Sequence, residues 1–120
     1  MALADPQSVT VGGSAASLAR TSTGTNTSTY SKDDGTVLMT VGHNYGRRYR
    51  RTARITSNKI ATDPLITGVN VRLSASAYIV LDVPSSGFSA LEQKELLLAI
   101  ATWLSASSGA NATKLVGGEN

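Results

Sequence analysis

Five arginines fall within eight positions of this sequence: Arg47, Arg48, Arg50, Arg51 and Arg54. A guanidinium group stays charged at neutral pH and offers a planar fork that meets phosphate oxygens bidentately. A dense arginine run is therefore chemistry suited to a polyanion. The formal net charge is only +3 over 120 residues, and no acidic residue lies between Asp34 and Asp63. The positive charge is concentrated in one stretch, which points towards nucleic acid. A charged edge strand that resists aggregation would account for part of this pattern, but lysine would serve that purpose equally well.

Other reactive groups are sparse. The one histidine, His43, is flanked by Gly42, Asn44 and Tyr45 and reads as a turn residue with no nearby carboxylate to form a dyad or metal set. Asp33-Asp34-Gly35 reads as a turn rather than an acid/base pair. Gly12-Gly13 has no phosphate-binding helix after it, and no P-loop or dinucleotide fingerprint occurs. There is no cysteine, so disulfides and thiolate metal sites are excluded and a reducing compartment suits the chain. The sequence thus implies no enzyme, cofactor, metal or small-molecule substrate. Met1-Ala2-Leu3-Ala4-Asp5-Pro6 reads as no signal peptide. The chain also lacks a run of about eighteen apolar residues for a spanning helix, so no membrane partner is expected.

The length suits one domain, residues 1–120, and 41% hydrophobic residues with 16% charged argue against disorder. Residues 7–11 and 14–21 read as a hairpin about Gly12-Gly13. Residues 22–32 are polar, rich in Ser and Thr. A strand is expected over 36–41 with Val37, Met39 and Val41 on one side, then a turn over 42–46 and the basic strand over 47–57. Residues 58–68, with Asp63-Pro64, read as an exposed loop. Over 69–83 all eight odd positions are apolar, and six of the seven even positions are polar, Val80 alone being out of step. This period of two predicts a strand with one dry and one wet face.

Strand alternation sorts the arginines. Arg48, Arg50, Thr52, Arg54 and Thr56 share one face, expected to join Arg72, Ser74, Ser76 and Tyr78 on a single wet sheet surface. Lys32, Thr40 and Lys59 are candidates for its margins. Such an open platform of hydroxyls, guanidinium groups and a stacking aromatic is the kind that receives single-stranded RNA. Arg51 falls on the dry side, where a bulge or a snorkelling side chain would have to accommodate it.

Ser89 and Glu92 have the spacing of a capping box, predicting a helix from Ala90 to about Ser107 with Gly109 at its end, and one or two further turns over 110–116. From Leu96 to Leu104 only Thr102 interrupts an apolar run. One helix lying on its own sheet needs a single apolar stripe. A sheet of five or six strands is roughly 25 Å wide, while one helix covers about 10 Å. A second copy of the helix in a two-fold dimer is the simplest cover, with Leu96, Leu97, Ile100, Trp103 and Leu104 at the interface.

The element order, with Arg47-Arg48-Tyr49-Arg50, the alternating strand and Tyr78 before the helix, resembles the coat proteins of single-stranded RNA bacteriophages over nearly the whole chain. The resemblance implies an α+β fold: an N-terminal hairpin (about 7–21), a five-stranded antiparallel sheet (within about 26–83), and one or two C-terminal helices (about 89–116) packed on a dimer partner. It also implies that dimers build an icosahedral shell, assembled in the bacterial host cytoplasm, around single-stranded RNA. The inner sheet face would bind that RNA, including a hairpin that represses replicase translation. By position, Arg50, Thr52 and Arg54 resemble the inner-face strand and Tyr78 the stacking tyrosine. The loop over 58–68 looks like the one that gathers around symmetry axes. A cellular RNA-binding β-module without a shell is the alternative, and a scaffold that assembles without nucleic acid is a third.

Overall fold

The computed structural model describes residues 3–62, 64–66 and 68–119. Two compact units divide the chain, residues 1–82 and residues 83–120. The first carries the sheet. Six strands, β1 (Gln7–Val11), β2 (Ser14–Gly24), β3 (Thr27–Ser31), β4 (Val37–Asn44), β5 (Arg48–Thr62) and β6 (Asn70–Pro84), follow one another in sheet order as in sequence. The expected hairpin is β1–β2, turning through Gly12 and Gly13, both at positive φ. Strand β2 has two partners: residues 14–18 pair with β1, and residues 19–24 pair with β3 across a register shift between Arg20 and Ser22. The hairpin and the main sheet are thereby joined through one long strand.

Three boundaries differ from the sequence expectation. Residues 22–32 are not merely polar connection, because β3 lies within them. Its Ser and Thr side chains are ordinary strand formers once neighbours pair on both sides. Strand β4 continues to Asn44, so His43 is a strand residue opposite Arg51 and not a turn residue. Strand β5 begins at Arg48 and runs to Thr62, shortening the expected loop. Asp63 and Thr67 of that loop lie outside the described residues.

The core forms on the side that alternation marked as dry. Leu18 and Tyr30 are fully buried, Ala16 and Val37 nearly so, and Val9, Met39, Val41 and Ile55 pack against them. Register places Tyr30 opposite Met39 and Met39 opposite Ile55, a continuous apolar row across β3, β4 and β5. The Tyr30 hydroxyl accepts from Arg20 Nη2 at 2.9 Å, which satisfies the one polar atom that row buries. The β3–β4 turn is held by Asp34. Its carboxylate accepts from the Thr36 amide at 3.0 Å and the Thr36 hydroxyl at 2.7 Å, holding the Asp34 carboxyl below its ordinary pKa.

In the second unit, α1 (Ala90–Val116) starts as its capping box predicts. Ser89 Oγ accepts from the Glu92 amide at 3.2 Å, and Glu92 Oε2 accepts from the Ser89 amide at 3.1 Å. Residues 106–109 leave helical geometry, with Ser107, Ser108 and Gly109 at positive φ. The helix then resumes, and Asn111 Nδ2 donates to the Trp103 carbonyl at 2.9 Å across the break. No residue of α1 is buried. Leu96 and Leu98 are each 53% exposed and Trp103 is 52% exposed. The helix is thus rich in exposed apolar side chains.

Candidate nucleic-acid interface

Strand pairing assembles the wet face residue by residue. Directly opposed residues in an antiparallel ladder share a face. Arg50 is opposite Asn44, Thr52 opposite Gly42 and Arg54 opposite Thr40. One strand further, Gly42 is opposite Thr27 and Thr40 opposite Thr29. The rows thus run Thr27–Gly42–Thr52 and Thr29–Thr40–Arg54, wholly polar or side-chain-free. Gly42 leaves a gap in the first row. A depression of about 380 Å³ lies there, lined among others by Thr27, Asn44, Arg50, Thr52, Arg54 and Tyr78.

Strand β6 joins this surface through two side-chain contacts. The Arg54 guanidinium lies 4.6 Å from the Tyr78 ring centre, and Arg48 Nε donates to Asp82 Oδ1 at 2.9 Å. Residue numbers rise along β5 as they fall along β6, so the two strands run antiparallel. Tyr78 is 59% exposed, leaving ring area for a further stacking partner. Arg48, Arg50 and Arg54 are exposed and Thr52 is half-buried.

Not every residue grouped by alternation is brought to one place. Ser74 and Ser76 are exposed along β6, between Tyr78 and Arg72. Arg72 lines a separate depression of about 350 Å³ with Asp34, Asn58 and Lys59. The cationic surface therefore has a main site around Arg50 and Arg54 and an outlying one at Arg72. Sequence reasoning missed Thr27, Asn44 and Asp82. Asp82 was visible as an even-position residue of the alternating strand, whereas Thr27 and Asn44 needed the register of β3 and β4.

The dry side explains Arg51 without a bulge. Its Nη1 lies 3.3 Å from His43 Nδ1 and donates to the Tyr45 hydroxyl at 3.2 Å. Its guanidinium carbon is 5.4 Å from the Tyr45 ring centre and 5.9 Å from that of Tyr49. Tyr45 and Tyr49 meet edge to face at 5.2 Å. Arg51 is thus satisfied within an aromatic cluster on the opposite face from Arg50. Arg47 lies exposed in the turn before β5.

The fold defined by these strands and the broken C-terminal helix is that of RNA bacteriophage coat proteins. The virus-like particle of bacteriophage AVE019 matches with a TM-score of 0.80 at 14% identity, over 98% of this chain and 97% of that chain. The virus-like particle of Beihai levi-like virus 21 matches at 0.72 and 11% identity, over 93% and 91%. The capsid protein of bacteriophage GA matches at 0.59 and 15% identity, over 91% and 88%. No protein-family model and no curated protein matches the sequence.

Proposed function

We propose that this chain is the coat protein of a single-stranded RNA bacteriophage, which dimerises, closes into an icosahedral shell and binds RNA through the β4–β6 wet face. The observation that carries the reading is the fold, shared over 98% of the chain with a protein that forms a virus-like particle. The exposed apolar helix supports dimerisation, since a helix with Leu96, Leu98, Ile100 and Trp103 all open to water gains its stability from a partner. Leu97 and Leu104, also assigned to the interface, are half-buried in the single chain.

RNA recognition is assigned to Arg50, Thr52, Arg54 and Tyr78 around the Gly42 depression. Arg48 stands at the margin, and Arg72, Ser74 and Ser76 lie further along β6. The guanidinium groups meet phosphates, the hydroxyls meet base edges or ribose, and Tyr78 stacks. An RNA hairpin that represses replicase translation would bind the same face.

Electron microscopy and the absorbance ratio of the purified chain test this. Uniform shells containing RNA are expected, and Leu96→Asp with Trp103→Ala should abolish both dimers and shells. Discrete dimers that carry RNA and never form shells would instead identify a cellular RNA-binding module. Shells free of RNA would identify a scaffold.

A further inference from the structure

We propose that Asp82 attenuates the RNA affinity of this face by holding Arg48, so that one arginine of the basic strand is withheld from phosphate. The inference rests on the RNA-binding reading above and concerns the regulation of that same site.

Strands β1 to β6 contain a single carboxylate, Asp82. It stands on the wet side of β6 at the end of the arginine row and takes Arg48 Nε at 2.9 Å. Arg50 and Arg54 form no ion pair among the described residues. The face therefore divides into a neutral end, Arg48 with Asp82, and a cationic centre at Arg50 and Arg54. Both partners are about half exposed, at 57% and 45% of their side chains, and a pair so exposed contributes little to stability. Its effect on a polyanion is direct. The occupied Nε removes the side-on fork of Arg48, and the carboxylate repels any phosphate brought near it. Where one face is repeated over many copies, small changes per copy multiply, so a single acid sets how tightly the whole surface holds RNA.

The test is the salt dependence of binding between the purified full-length chain and a short mixed-sequence single-stranded RNA. Each phosphate contact contributes about 0.7 to the log–log slope for single strands. Asp82→Asn should steepen the slope by about 0.7 per chain in contact and tighten binding about fivefold at about 0.1 M salt. Arg48→Gln should leave the slope near that of the parent, whereas Arg50→Gln should make it shallower by about 0.7. Asp33→Asn makes the same charge change in the β3–β4 turn and should leave the slope unaltered.

The inference falls if Asp82→Asn does not steepen the slope, or if Asp33→Asn steepens it equally. It falls too if Arg48→Gln makes the salt slope as shallow as Arg50→Gln does, a count of phosphate contacts that tests the matter even when Asp82→Asn does not fold. A parent chain that binds no RNA overturns the RNA reading and this inference with it. A parent that binds, with an unchanged slope in Asp82→Asn, overturns this inference alone.

Discussion

The guanidinium of Arg54 lies 4.6 Å from the centre of the Tyr78 ring, joining the basic strand β5 to the alternating strand β6 on their polar side. The pair places a cation and an aromatic plane together, and both are features of single-strand binding surfaces. In the proposed interface a base stacks on the exposed part of the ring while Arg54 reaches a phosphate.

Tyr78→Ala should therefore weaken RNA binding about 5- to 150-fold, the range expected for losing one base–aromatic stack. Tyr78→Phe keeps the ring and should retain most of the affinity. Filter binding of both variants checks this, and equal binding by Tyr78→Ala and the parent would remove the tyrosine from the interface.

Arg54 and Arg51 are three positions apart but occupy opposite faces. Arg54→Gln should lower RNA affinity and make its salt dependence shallower. Arg51→Gln should leave both unchanged and instead lower stability by about 0.5–1 kcal/mol, through lost contact with Tyr45 and Tyr49. Urea midpoints and RNA titrations on the same two variants separate the roles.

The capping box at the start of α1 has a measurable consequence. Ser89→Ala removes the acceptor for the Glu92 amide and should destabilise the protein by about 1 kcal/mol. In the proposed dimer folding is coupled to association, so the urea transitions are compared at one protein concentration.

Asp34 links stability of the β3–β4 turn to pH. The Thr36 amide and hydroxyl favour its ionised form and hold its carboxyl below the ordinary value. Its contribution is thus complete above the unfolded carboxylate pKa of about 4 and lost as pH falls through the lower folded value. Asp34→Asn should be less stable than the parent near neutral pH, with the difference shrinking on acidification. A difference independent of pH would show that the carboxylate charge contributes nothing.

Much of this organisation was legible without coordinates. The period of two over 69–83 marked β6, and Ser89 with Glu92 marked the helix start. Of the apolar set of β6, however, only Leu81 and Val83 are buried, while Val69, Leu73, Ala75 and Ala77 are exposed. Alternation alone placed Arg50 and Arg54 opposite Arg51. These are local properties, carried by residue types a few positions apart, and strand or helix geometry converts them directly into direction. Strand β3 and the far end of β5 were not legible. Thr27–Ser31 and Asn58–Thr62 lack apolar alternation, and Thr27–Ser31 is a strand through pairing with β2 and β4.

The arginine cluster shows the division most plainly. By itself the sequence determined that the chain carries a concentrated cationic strand, a wet face and a markedly apolar helix. The tertiary structure decided which arginines are free. Arg48 meets Asp82 across 34 positions, Arg51 is enclosed by His43, Tyr45 and Tyr49, and Arg50 opens onto the gap above Gly42. Those partners are set by strand register. Register is set by the row Tyr30–Met39–Ile55 on the buried face, because a slip of one residue would turn every apolar side chain in it towards water.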